Sequence, residues 1–234
     1  MCTVWLPKKG DSGEELVVFV EVGARSQQLI LADARGGARR SLMDCDGFTS
    51  ISVSPDGNKM AVLTRQKKAL AEALTVLDGP FSIDEDPWPA EMSAVSNDDP
   101  NQLKPKRRVL AFYWSPNSRY LLWLSVPEKD DIIAATGGPV QIFWELLDSA
   151  TGRKYQFEPH MPSDTVVSSY MPFFDQYALS QRVWAPDSKS FCYAGRGADG
   201  GVGAYVQDVP ATASDIPKPR LVYNGAQTVS WSPL

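Results

Sequence analysis

Val53-Ser54-Pro55-Asp56-Gly57, Trp114-Ser115-Pro116-Asn117-Ser118 and Trp184-Ala185-Pro186-Asp187-Ser188 are three versions of one phrase. Each joins a large apolar residue and a small residue to Pro, then Asp or Asn, then Gly or Ser. Trp231-Ser232-Pro233 opens a further copy, and Trp5-Leu6-Pro7, followed by Asp11-Ser12-Gly13 after a short insertion, is a weaker one. The chain has seven tryptophans, and Trp5, Trp114, Trp184 and Trp231 each stand two residues before one of these prolines. Proline presets φ for the second position of a turn, Asp and Asn bond their own backbone, and Gly or Ser accommodates the reversal. The phrase therefore reads as a strand running into a tight turn.

Outward from each turn the pattern repeats. A first strand alternates before it (Ile51 and Val53; Phe112 and Trp114; Val229 and Trp231), and a second apolar strand follows (Leu16–Val20, Met60–Leu63, Tyr120–Leu124, Phe191–Ala194). A third ends near an aspartate: Leu29–Asp33, Leu74–Asp78, Gln141–Asp148, Ala204–Asp208. Arg39–Met43, Lys154–Phe157 and Arg220–Tyr223 suggest a fourth. Four short antiparallel strands in roughly 40 to 50 residues are the pattern of a propeller blade. One such sheet cannot bury both faces alone, so blades come in arrays.

The unit resembles the WD40-like repeat of TolB-type β-propellers, and is similar to the propeller that precedes the hydrolase domain in prolyl-oligopeptidase-type peptidases. The resemblance runs from about Thr3 to Leu234. The Gly-His and Trp-Asp signature of typical WD40 blades is absent. The expected fold is all-β, a propeller with about four visible blades at 3–48, 49–108, 109–180 and 181–226. Residues 227–234 supply the first strand of a further or closing blade. That strand either completes blade one beside Leu16–Val20 or belongs to a longer propeller; the reading favours the second, with the chain as an incomplete or open array.

Composition bounds the function. Apolar residues make up 43% and charged residues 22%, as in an ordinary globular domain. A net charge of −5 argues against nucleic acid, whose phosphates need a basic face. No apolar run approaches the roughly 18 to 20 residues of a membrane span. Lys8, Lys9, Asp11, Glu14 and Glu15 stand where a signal peptide needs its apolar stretch, so a cytoplasmic location is expected. Cys2, Cys45 and Cys192 are odd in number and scattered, which fits reduced thiols, with Cys192 packing as a small apolar residue.

Two long insertions interrupt the array. The first, between Asp78 and Val109, contains the acidic Asp84-Glu85-Asp86-Pro87-Trp88-Pro89 and the basic Lys104-Pro105-Lys106-Arg107-Arg108, and reads as a solvated loop. The second, Glu158–Gln181, holds Met161, Tyr170, Met171, Phe173, Phe174 and Tyr177, residue types enriched at protein interfaces. Packing of Phe173 and Phe174 into the neighbouring blade is the simpler explanation; a contact surface is the sharper one. Trp88, Phe173, Phe174 and Tyr177 are the candidate partner-binding residues.

Catalytic machinery is not legible. His160, the single histidine, lies in a Pro-rich stretch read as a loop, and no Gly-x-Ser-x-Gly elbow exists to serve a Ser-His-Asp site. One His and three dispersed Cys do not make a zinc set, and no Asp-x-Asp-x-Asp-Gly calcium loop occurs. Gly195-Arg196-Gly197-Ala198-Asp199-Gly200 matches the dinucleotide pattern by letter, but a strand rather than a helix follows it, so it reads as a hairpin loop. No cofactor is expected. The expectation is a non-enzymatic interaction or scaffold module that binds a protein partner. The alternative, implied by the resemblance, is the non-catalytic N-terminal propeller of a prolyl-oligopeptidase-like serine peptidase whose hydrolase domain is absent from this chain.

Overall fold

The three full phrases become three turns with one hydrogen-bonding plan, and the Trp5 copy shares its first bond. In the computed structural model, which describes residues 3–7, 15–24, 26–45, 47–65, 72–84, 90–96, 107–127, 141–170, 173, 181–196, 201–212 and 215–232, the amide of the residue before each proline bonds across to the second strand. These bonds are Leu6 N to Leu16 O, Ser54 N to Lys59 O, Ser115 N to Tyr120 O and Ala185 N to Ser190 O, at 2.8 to 3.0 Å. The serine version adds a side-chain brace. Ser54 Oγ donates to Asp56 Oδ1 (2.6 Å) and accepts from Lys59 N (2.9 Å). Ser115 does the same with Asn117 and Tyr120. The last position of each phrase is left-handed, with φ of 71° at Gly57, 60° at Ser118 and 61° at Ser188, which is why the sequence keeps it glycine or a small polar residue.

Among the described residues sixteen strands follow, in four four-stranded antiparallel sheets. Blade one is β1 (Thr3–Trp5), β2 (Leu16–Val22), β3 (Gln27–Asp33) and β4 (Arg39–Cys45); blade two is β5 (Phe48–Val53), β6 (Lys59–Arg65), β7 (Glu72–Asp78) and β8 (Ala90–Ser96). Blade three is β9 (Arg107–Trp114), β10 (Tyr120–Pro127), β11 (Phe143–Asp148) and β12 (Arg153–Gln156). Blade four is β13 (Met161–Pro162), β14 (Ser190–Arg196), β15 (Val202–Asp208) and β16 (Arg220–Asn224). This is the all-β, propeller-type fold read from the repeat.

The residue after each strand-ending aspartate also repeats a bond. Ala34 N, Gly79 N, Ser149 N and Val209 N donate to the carbonyls of Glu15, Asn58, Arg119 and Lys189. Asp148 is the buried aspartate of the series. Burial raises its pKa, but the two-pronged hydrogen bonds from Arg119 Nε (3.0 Å) and Nη2 (2.7 Å), with those from Thr151 and Ala150 N, outweigh this and hold it below the ordinary carboxylate value.

Two readings of the sequence need correction. The stretch from Asp78 to Val109 is not loop throughout, because Ala90–Ser96 is the fourth strand of blade two, paired with β7 from Ala73↔Ser96 to Asp78↔Ala90. An edge strand needs little apolar patterning, and Met92 and Val95 are its largest apolar residues. His160 is not in a loop either: it exchanges backbone hydrogen bonds with Ile142 (2.9 and 3.0 Å) at the end of blade three. The glycine-rich segment does join a hairpin, since Arg196 pairs with Val202. Cys45 and Cys192 are buried free thiols; Cys2 lies outside the described residues.

The chain divides into two compact units, Met1–Asn101 and Gln102–Leu234. Each has its own core. In the first, aliphatic side chains of blades one and two meet: Val18, Leu29, Leu31, Ile51, Met60, Val62 and Leu77, closed by Phe81. Gly57 packs under Pro7, where a Cβ would stand 3.1 Å from the proline ring, so the two turns touch. The second unit is held by aromatic residues.

Candidate functional site

Blade four departs from the repeat in its first strand. In blade three that strand, β9, runs from Arg107 to Trp114 along β10. In blade four the matching edge of β14 is paired by two separate pieces of chain. Met161 and Pro162 pair with Arg196 and Gly195. Farther along the same edge, Val183 O accepts from Cys192 N (2.9 Å) and Trp184 bridges Phe191. Between the two pieces the chain leaves the sheet at Ser163 and returns at Gln181.

Both ends of this excursion are pinned. Asp164 accepts from Arg196 Nη2 at 2.8 Å, and Ser163 Oγ donates to the carbonyl of Gln227 at 2.6 Å. At the returning end Arg182 N donates to Ser230 Oγ (3.1 Å) and Trp231 N donates to Arg182 O (2.9 Å). Residues 227–232 thus run beside the split strand. A π-helical turn, Val166–Tyr170, follows Ser163 and Asp164, with Val167 exposed.

A small cavity of about 40 Å³ lies where the strand is split, lined by Tyr113, Trp144, His160, Tyr170, Gln181 and Tyr193 among others. By the same measure one water needs about 10 to 15 Å³, so the space suits a few waters or the tip of a side chain. Its walls are mostly apolar and aromatic. Trp144 stacks on His160 with centroids 6.4 Å apart and planes within 6°, and His160 lies 4.2 Å from the Tyr193 ring. Gly195 makes room for this, because a Cβ there would come within 2.9 Å of His160 Cδ2.

Neither ring nitrogen of His160 has a hydrogen-bond partner among the described residues, nor has Trp144 Nε1. Burial in these surroundings pulls the imidazole pKa down to about 3, so the ring is neutral near pH 7. The thiol of Cys192, another lining residue, is pushed up to about 12, chiefly by burial. Among the described residues no carboxylate bonds the neutral imidazole, and the Cys192 thiol beside it is un-ionised. Among the described residues no three His, Cys, Asp or Glu side chains gather where a metal ion could be held.

Of the residues singled out in the sequence, Phe173 lies on the excursion and is 48% exposed. Trp88, Phe174 and Tyr177 lie outside the described residues. Arg107, from the basic run, is engaged within blade three: it pairs with Glu145 at 3.0 Å and lies 3.8 Å over the Phe143 ring. The structure adds Tyr170, His160 and Gln181 as cavity residues. Tyr170 stood out in the sequence by composition, whereas His160 and Gln181 gave no signal.

No family model matches the chain, and no curated protein does. Solved structures match its fold. An acylaminoacyl peptidase in complex with Z-Gly-Gly-Phe-chloromethyl ketone is 10% identical, with a TM-score of 0.52 over 96% of this chain and 33% of that one. The Pyrococcus horikoshii acylaminoacyl peptidase is 11% identical, with a TM-score of 0.51 over 89% and 30%. TolB from Acinetobacter baumannii is 16% identical, with a TM-score of 0.43 over 86% and 41%. These likenesses concern the fold, and the chain spans less than half the length of each of these proteins. The class so defined is one of fold alone, an array of four-stranded β-propeller blades. No helix among the described residues is long and apolar enough to cross a membrane.

Proposed function

We propose that this chain is a non-enzymatic protein-interaction module whose contact surface is built on the excursion from blade four. The carrying observation is that the first strand of blade four is interrupted by an insertion whose described ends are held in place, whose sequence is rich in aromatic residues, and on which Phe173 is exposed. Protein interfaces favour aromatic anchors of this kind. Phe173, Phe174 and Tyr177 form the anchoring set, with Trp88 on the first insertion as a secondary contact.

The test is affinity capture with the wild-type chain and with Phe173→Asp, followed by calorimetry with the captured protein after purification. Phe173→Asp is expected to weaken that complex at least about tenfold, or roughly 1.4 kcal/mol. Equal binding by both forms removes the excursion from the interface. The second reading, a non-catalytic propeller within a longer serine peptidase, draws on the peptidase chains of which this chain spans about a third. A serine-reactive activity probe applied to the native gene product separates the two, since only the peptidase would be labelled.

A further inference from the structure

The cavity at the split strand is bounded by residues of the second unit alone. Among the described residues no charged side chain lines it. Its titratable lining groups are held uncharged as well. Burial keeps the Tyr113 and Tyr193 phenols and the Cys192 thiol protonated and the His160 imidazole neutral. An anion would find no cation here and a cation no carboxylate, and a buried charge without a partner is costly. The chemistry of the walls therefore selects an uncharged occupant.

The polar atoms narrow its class. His160 Nδ1 and Nε2 and Trp144 Nε1 are buried without partners among the described residues, and both side chains line the cavity. Buried polar groups are ordinarily paired, so three together call for an explanation. A neutral imidazole offers one donor and one acceptor, and an indole offers one donor. Their complement is an oxygen that accepts twice beside an N–H that donates, which a carboxamide carries on one flat head. The imidazole and indole planes lie within 6° of each other, an arrangement that suits a planar group. A cavity of about 40 Å³ has room for about three waters, the size of such a head, and is too small for an aromatic ring.

We propose that this cavity binds an uncharged carboxamide, with His160 and Trp144 supplying its hydrogen-bond partners. The head can belong to a free small amide or to a glutamine or asparagine side chain of a protein. The site does not rest on the role assigned to Phe173. The three nitrogens are themselves covered, so binding must move the imidazole, and His160 then reports it.

Proton nuclear magnetic resonance on the full chain at pH 7 tests this, because His160 is the single histidine and its ring signals are unambiguous. The probes are acetamide, acetone and acetate, near-isosteres that differ in N–H and in charge. Acetamide is expected to shift the His160 signals saturably, acetone to bind at least about tenfold more weakly, and acetate to leave them unmoved. No saturable shift with acetamide, or an equal response to acetone or acetate, overturns the proposal. N-acetylglutamine methylamide separates the two sources, and either result supports the site: tighter binding than acetamide assigns it to a protein side chain, equal or weaker binding to a free amide. His160→Phe, checked for folding by circular dichroism and followed through the Trp144 indole N–H, should lose acetamide binding; a folded variant that binds as wild type does also overturns the proposal. If His160→Phe does not fold, the ranking of the three probes on wild type decides alone.

Discussion

The junction of blades one and two and that of blades three and four use one backbone register with different side chains. In the first unit Met60 and Val62 face Val18, Leu29 and Leu31, and aliphatic branching fills the space. In the second, Trp144, Phe157, Trp184, Phe191 and Tyr193 meet edge-on or tilted around the same positions. Flexible or branched aliphatics fill a junction without residue. Rigid rings leave gaps at their edges and bring buried N–H groups with them, and the cavity, the unpartnered Trp144 Nε1 and the isolated His160 all belong to the aromatic junction. The repeat thus dictates where blades touch, and the rings at the aromatic junction leave the gap seen there.

The largest expected effect breaks the aromatic junction at its anchor. Trp184→Ala removes a buried ring, its stack on Tyr120 and its hydrogen bond to Tyr113, and should cost about 4 kcal/mol. Met60→Ala in the aliphatic junction should cost somewhat less, about 3 kcal/mol. Urea denaturation gives the totals, and hydrogen exchange assigns them. The first substitution should speed exchange in β9–β16 and the second in β1–β8. Uniform acceleration from either would mean that the two cores do not unfold separately.

A smaller effect separates the junctions by pH. Because His160 has a folded-state pKa of about 3, below the unfolded value of about 6.5, the unfolded chain takes up a proton that the native ring refuses. Stability is therefore highest above about pH 6.5 and falls as pH drops toward 3, by about 1.4 kcal/mol per pH unit within that window. From about pH 6 to about pH 5, wild type should lose roughly 1 kcal/mol that His160→Leu does not lose. Equal slopes in the two proteins would show that the imidazole is not held neutral.

The sequence was most transparent where chemistry is local. Pro, Asp or Asn, and Gly or Ser have few ways to be arranged after a strand, and all three full phrases folded into the expected turn, with the truncated Trp5 copy keeping its bond to Leu16. Legibility failed where pairing is distant. Ala90–Ser96 carries too few large apolar residues to mark a strand by itself and is defined by its partner β7. His160 was hidden between Pro159 and Pro162, which suggest a loop, although its own N–H and C=O were free to bridge Ile142. The split strand of blade four was harder still. Two segments some twenty residues apart share one edge of β14, and no periodicity within either announces the other. The candidate anchors Phe173, Phe174 and Tyr177 stood out by composition, whereas the cavity depends on which blade each of its lining aromatics faces.

The smallest expected effect is the most informative about the repeat. Trp5 and Trp184 hold one register position, precede the same turn bond and differ in what covers them. Trp5→Ala removes a ring that is 63% exposed and should change stability by no more than about 0.5 kcal/mol, against about 4 kcal/mol for Trp184→Ala. The difference between these two substitutions isolates what a covering blade adds to a tryptophan whose backbone setting is otherwise matched. Urea midpoints followed by far-ultraviolet circular dichroism suffice to measure it. If Trp5→Ala proves as costly as Trp184→Ala, the indole must act through packing within its own blade.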